Sequence, residues 1–237
     1  DNVFVYTDFG DGTMTTSGYP RVVKRWKRGT PMSAATPVYE GTPQDMYIAA
    51  MRDVSFDAGK PVFQRDFVSR TLAFYNDELY LRRADGTLAK IDIVGRGGEK
   101  LVEDWADGPR TYLGLGTDGF PNLFLVSGPG APAVLANMVL HAEAHVNWIA
   151  DAIAYLDQNS YAAIEPTADA VDSWIAECAQ RAEATLFTKA NSWYMGANVP
   201  GKPRMFMLFI GGFGTYLDIC DAAAAAGYKG FDLLKAP

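Results

Sequence analysis

The sequence predicts a mixed architecture in two unlike segments: an antiparallel β segment over residues 1–92, then an α/β segment over residues 93–237. Three observations carry this. Short runs of β-branched and aromatic residues, punctuated by turn residues, fill the first segment. Apolar residues at helical spacing, broken by short apolar runs, fill the second. The charge also changes. Residues 1–92 carry 12 Lys/Arg against 12 Asp/Glu, and residues 93–237 carry 9 against 16, which accounts for the whole net charge of −7.

Nearly half of the 237 residues are hydrophobic and about a fifth are charged, a globular composition with length enough for one large or two modest domains. No apolar run approaches the roughly 18 residues of a membrane span, and no signal-peptide pattern opens the chain. The first residue is Asp1 rather than Met, so the chain is expected to be a piece of something longer. An acidic chain without a basic stripe argues against nucleic acid as a partner. The cations and Trp26 between Arg21 and Arg28 read as a solvated strand face. Cys178 and Cys220 have neither metal nor disulfide spacing, so a reducing, cytoplasmic setting is expected.

In chain order, "VFVYTDF" reads as a strand, "GDGTMTTSGYP" as a turn-laden connection, and "RVVKRWKRG" as a strand with one wet face. "PVYEG", "DMYIAAMRDV" and "ELYLRR" continue the series, and "ADG" turns into "TLAKIDI". Strands at this spacing suit a sandwich or a propeller. Beyond residue 95, "GEKLVEDWADG" predicts a short helix, and "TYLGL" and "NLFLVS" predict short buried strands. Residues 134–156 predict a helix whose apolar positions are 135, 138, 139, 142, 146, 149, 153 and 156. "TADAVDSWIAECAQRAEATLF" predicts a second helix with Thr167 as N-cap. "RMFMLFI" suits a central strand, and "GTYLDICDAAAAAGY" a last helix ending at Gly227.

Two glycine motifs matter. Gly114, Gly116 and Gly119 have G-x-G-x-x-G spacing, but Phe120-Pro121-Asn122 and a strand-like run follow, so no helix N-terminus receives a pyrophosphate. The stretch is read as a strand-to-strand turn. Gly128-Pro129-Gly130 is the stronger candidate: a strand precedes it, and Pro132 and a helix follow. Glycines there would let a planar or anionic ligand approach backbone, and the helix start is electropositive. An ordinary strand–turn–helix joint has the same spacing. His141 and His145 stand i, i+4, but Glu143 is not placed as in the zinc-protease motif and no third ligand is evident, so no metal is expected.

From about Thr87 to Leu234 the chain resembles the C-terminal part of Baeyer–Villiger monooxygenases. The stretches that carry the resemblance are "GPRTYLGLGTDGFPNLFLVSGPGAPAVLANM", "HVNWIADAI", "SWYMGANVPGKPRMFMLFIGGFGTY" and "GYKGFDLL". The resemblance implies an FAD- and NADPH-dependent enzyme that converts small-molecule ketones to esters or lactones with O2. It implies that Gly128, Pro129, Gly130, Val134, Leu135, Asn137 and Met138 line the flavin. Leu135, Met138 and Met207 would face substrate, and Trp193 would meet the nicotinamide cofactor. No catalytic residue of the family falls on this chain. The two Rossmann fingerprints and the F-x-G-x-x-x-H-x-x-x-W signature are absent from it, so the chain alone is expected to be inactive.

Residues 1–92 resemble something else. "TDFGDGTMTTSGYPRVVKRWKRGTPMSAATPVYEG" and "RDFVSRTLAFYNDELYLRRADGTLAKID" look like part of the β-propeller of a prolyl oligopeptidase-type serine peptidase. The nucleophile elbow G-x-S-x-G is not found. "GTLAKIDI", residues 86–93, fits either parent, and a chimera joined within about residues 86–95 is expected.

Overall fold

The computed structural model describes residues 2–57, 59–73, 76–132, 135–197, 201 and 203–236. They form two compact units, Asp1–Ile91 and Asp92–Pro237.

The first unit is antiparallel throughout. Strands β1 (Asn2–Tyr6), β2 (Val22–Lys27) and β3 (Thr36–Glu40) make one sheet, with Val3 opposite Trp26 and Val23 opposite Tyr39. Strands β4 (Tyr47–Asp57), β5 (Lys60–Ala73), β6 (Asn76–Arg82) and β7 (Leu88–Lys90) make a second, in chain order. Period-two alternation turns Ile48 and Ala50 of β4 inward, where they pack with Val23 of β2 and Val68 of β5. Trp26 Nε1–H donates to Thr30 O (3.0 Å), which ties this aromatic to its own turn. The strand β5 has no counterpart in the sequence reading, because its apolar residues come in adjacent pairs rather than alternating. The described residues of this unit form two sheets, one of them a four-stranded meander; a propeller sets four to eight such blades round a channel.

One buried ion pair ties this unit together. Asp45, whose side chain is 3% exposed, accepts from Arg70 Nε (3.0 Å), Arg70 Nη2 (2.8 Å) and Thr42 N–H (2.7 Å). Burial alone would raise its carboxyl, but the guanidinium and the amide outweigh burial and hold it below the ordinary carboxylate range. Arg70 also reaches Glu78 (3.1 Å), so it keeps a partner if Asp45 is lost. Asp45→Ala is therefore expected to cost about 2 kcal/mol, less than a fully buried pair would. Urea unfolding of this variant beside the parent checks it.

The second unit is mostly helical. A short helix α1 (Leu101–Asp104) leads through a 3-10 turn to Gly108, as "GEKLVEDWADG" predicts. Helix α2 is Met138–Gln158, β8 Ala163–Pro166, α3 Ala168–Glu183, α4 Phe213–Ala225 and β9 Phe231–Leu234. Thr167 caps α3 through Ala170 N–H (3.2 Å), and Gly227 takes φ +73° just past α4. The core gathers Leu113, Leu115, Trp148, Trp174, Phe209 and Tyr216.

Several expectations are corrected here. Helix α2 starts at Met138, not near 134. Leu135 N–H donates to Pro132 O (3.1 Å), and Asn137 caps α2 by accepting from Val139 and Leu140 N–H. "TYLGL" and "NLFLVS" are not strands: a tight turn folds Tyr112 back onto Gly116, and Leu125 N–H bonds once to Leu115 O. "RMFMLFI" is buried but extended between irregular segments, with Met205 and Met207 bonded to Met195 and Tyr194 on one side and Phe209 to Ala131 on the other. A continuous apolar run fits such a clamped segment as well as a central strand. The α/β expectation therefore narrows: among the described residues of this unit the regular sheet is β8 against β9, antiparallel, with Ile164 opposite Leu233.

The largest reversal is the face of α2. The buried positions are His141, His145, Trp148, Ala152 and Leu156; of the predicted apolar positions Leu156 is buried and Ile149 packs on the core, while Val139 (75% exposed), Val146 (53%) and Ile153 (48%) point outward.

Candidate functional site

Gly128-Pro129-Gly130 forms a tight turn whose inner side is filled by protein. Gly130 N–H donates to Met207 O (2.8 Å), and Gly130 O accepts from Trp174 Nε1–H (3.0 Å). Thr111 Oγ1–H donates to Pro129 O (2.5 Å). A β-carbon on Gly128 would stand 2.6 Å from Gly114 O, and one on Gly130 2.9 Å from Trp174 Nε1. The glycines thus permit close approach of backbone to backbone and of an indole to backbone. The space beside Gly130 and Met207 is about 10 Å³, near the minimum for one water.

A larger hollow of about 270 Å³ lies nearby in sequence terms, bordered by Pro132, Leu135, Phe187, Phe209, Ile210 and Phe213. Leu135 and Met207 therefore border different spaces. Met138, at the start of α2, is 43% exposed, and Asn137 is committed to capping. Trp193 opens a 3-10 turn and packs on Tyr194 at 4.0 Å between ring centres; Tyr194 O accepts from Met207 N–H (3.0 Å). Val134 lies outside the described residues. The residues present, tested as a flavin cradle, leave no ring-sized slot on the inner side of the turn, and the amides of Val139 and Leu140 are already capped. On the outer side of the turn Pro129 is partly exposed.

Sequence reasoning assigned no role to a buried polar cluster behind this turn. Ser127 N–H donates to His145 Nδ1 (3.2 Å), and His145 Nε2 lies 2.6 Å from Tyr216 Oη and 2.9 Å from His141 Nε2. Tyr216 O–H donates to Leu113 O (2.5 Å). Bookkeeping of protons fixes the tautomers. Two groups meet His145 Nδ1, Ser127 N–H at 3.2 Å and Leu125 O at 3.4 Å; the shorter contact makes Nδ1 an acceptor and puts the proton on Nε2. Tyr216 Oη has spent its hydrogen on Leu113 O and can only accept. The one Nε2–H of His145 is shared between Tyr216 Oη and His141 Nε2, so His141 carries its own proton on Nδ1, 3.5 Å from Ser127 Oγ. Burial, with His141 beside it, pushes His145 down to about 4. Burial also lowers His141 and raises Tyr216.

This arrangement does not suit a metal. His145 Nδ1 stands against Ser127 N–H at 3.2 Å and Leu125 O at 3.4 Å, and its Nε2 is already taken by Tyr216 Oη at 2.6 Å. Among the described residues no group of three or more His, Cys, Asp or Glu could hold one. The cluster does hold strained backbone. Leu113 and Ser127 both sit at φ +57°, a left-handed conformation that costs a non-glycine residue about 1–3 kcal/mol. The signal in the sequence was the i, i+4 pair of histidines on a helix otherwise lined by Trp148, Ala152 and Leu156.

No protein-family model matches the chain. An acetone monooxygenase (methyl acetate-forming) of Gordonia sp. (strain TY-5) is 46% identical over 149 residues, 62% of this chain and 28% of its own length. A Baeyer-Villiger monooxygenase of Pseudooceanicola batsensis is 40% identical over 144 residues, 61% of this chain and 26% of its own. A cyclohexanone 1,2-monooxygenase of Acinetobacter sp is 38% identical over 149 residues, 63% of this chain and 27% of its own length. A 2-oxo-Delta(3)-4,5,5-trimethylcyclopentenylacetyl-CoA monooxygenase of Pseudomonas putida is 29% identical over 202 residues, 83% of this chain and 34% of its own length. That stretch is longer than the second unit and so reaches into the first. The solved structure of an oxidized steroid monooxygenase bound to NADP matches 61% of the chain and 27% of its own at 61% identity, TM-score 0.57. Another structural neighbour of this kind is a complex with FAD and NADP. The chain spans just over a quarter of the length of the first two relatives. No helix among the described residues is long and apolar enough to cross a membrane.

Proposed function

We propose that the second unit is the C-terminal portion of an FAD- and NADPH-dependent Baeyer–Villiger monooxygenase acting on a small ketone. In that role it closes one side of the cofactor site and is inactive alone. The observation that carries this reading is the outward apolar stripe Val139, Val146 and Ile153 on α2. Contiguous exposed apolar surface marks a face that a further part of the protein covers. The 46% identity over 149 residues, a stretch that is 28% of the length of that monooxygenase, supports the same reading.

In the complete enzyme the flavin and the nicotinamide supply the redox chemistry. This chain's part is steric and apolar. Leu135, Phe209 and Phe213 offer a water-excluding wall, the outer side of Gly128–Gly130 offers a backbone edge, and Trp193 a partly buried indole for the nicotinamide. The purified chain, given NADPH, FAD and acetone or cyclohexanone, is expected to show no ketone-stimulated NADPH oxidation. Mixed with the N-terminal segment of the acetone monooxygenase, it is expected to retain yellow flavin through gel filtration. The reading fails if that segment retains flavin with its own C-terminal portion but never with this chain.

A second reading concerns residues 1–92, as a propeller fragment of a serine peptidase fused within residues 86–95. The four-stranded meander β4–β7 favours it, and the long match to the Pseudomonas putida relative weighs against it. Single long DNA reads through the joint decide: reads that all stop there mark the fusion as an assembly artefact.

A further inference from the structure

We infer that His145, oriented by Tyr216, is a positioning residue that holds the turn from Ser127 to Gly130 in its left-handed conformation. The inference deepens the proposed flavin-facing role of that turn, yet it rests on contacts within this chain. Ser127 at φ +57° directs its N–H inward, away from solvent, and the acceptor it meets is His145 Nδ1. A buried amide without an acceptor is strongly disfavoured, so the imidazole lone pair selects this backbone state. That lone pair is on Nδ1 because the proton is on Nε2, facing Tyr216 Oη. Tyr216 is available as an acceptor because its own hydrogen goes to Leu113 O, at the other left-handed residue. Two strained corners of separate loops are therefore joined through one phenol and one imidazole. His145 and Tyr216 are 1% and 0% exposed, and their rings stack at 5.7 Å, so neither can turn to another partner without repacking. The left-handed Ser127 immediately precedes Gly128, which passes 2.6 Å (as a virtual β-carbon) from Gly114 O. A change at Ser127 would carry the whole glycine turn with it.

The test uses the full chain labelled with ¹⁵N and compares amide exchange at Ser127 in three proteins. His145→Asn keeps an acceptor close to where Nδ1 stands. His145→Gln keeps a donor reaching toward Tyr216 but removes that acceptor. Exchange at Ser127 is expected to be about tenfold faster in His145→Gln and to return toward the parent in His145→Asn, with α3 amides such as Cys178 unchanged in both. In the parent, the ring nitrogens should report the Nε2–H tautomer at neutral pH. Tyr216→Phe, a change that adds no volume, serves if the histidine variants fail to fold: it should shift the His145 tautomer population and speed exchange at Ser127. Equal Ser127 exchange in parent and His145→Gln would overturn the inference. So would an Nδ1–H tautomer in the parent, or a Tyr216→Phe protein with the parent's ring and amide signals. Flavin retention is read separately, so failure of the monooxygenase reading leaves these outcomes standing.

Discussion

Trp174→Ala is expected to destabilise the second unit by about 4 kcal/mol, and Trp174→Phe by about 1 kcal/mol. The indole is 5% exposed and lies parallel to Phe209 at 5.0 Å and 10°, with Tyr112 and Tyr216 each at 6.3 Å. Truncation removes this packing and leaves a cavity that helix α3, anchored by the Thr167 cap, cannot easily close. It also strips Gly130 O of its N–H donor. Phenylalanine keeps most of the stacking and loses only the hydrogen bond, so the difference between the two variants separates packing from turn anchoring. Urea unfolding followed by circular dichroism gives both values. If the two variants lose stability equally, Trp174 acts through its hydrogen bond to the glycine turn and the packing argument is wrong.

The parts of the fold written locally were legible. Period-two alternation found most strands of the first unit, and capping chemistry found Thr167 and Gly227. What escaped depends on partners distant in sequence. Helix α2 carries apolar residues on two faces, and the sequence favoured the face with more of them. The other face is buried because Ser127 N–H and the Tyr216 oxygen lie where two neutral imidazoles can be satisfied. Likewise "RMFMLFI" has the composition of a central strand, but its neighbours are two loops, and no local pattern announces that. The glycines at 128 and 130 were legible as special. Spacing does not say whether the close approach is made by a ligand or, as on the inner side, by Trp174 and Gly114. The site residues at Leu135, Met207 and Trp193 came from resemblance, since each reads as ordinary apolar packing by itself.

Lowering the pH from 7 to about 4 is expected to remove about 3 kcal/mol from the stability of the second unit through His145 alone. The folded group titrates near 4 and the unfolded one near 6.5, so between those values the unfolded chain binds more protons. The stability is fully present above pH 6.5 and is lost as the pH falls through the window to about 4. The physical cause is burial and the neighbouring His141, partly offset by Leu125 O beside Nδ1; protonated His145 would also set an Nδ1–H against Ser127 N–H. His141, lowered by burial too, adds in the same direction. In the first unit Asp45, Asp66 and Glu78 are held below their ordinary values. Their stabilisation is full well above the ordinary carboxylate values and is lost as the pH falls from those values through the lowered ones, so it fades mainly below the histidine window. Four of the five tryptophans, Trp105, Trp148, Trp174 and Trp193, belong to the second unit, so indole fluorescence reports it preferentially. Urea midpoints by fluorescence should therefore fall steeply between pH 6.5 and 4.5, and His145→Asn should flatten that slope. Parallel pH profiles for parent and His145→Asn would show that the imidazole is not what the acid attacks.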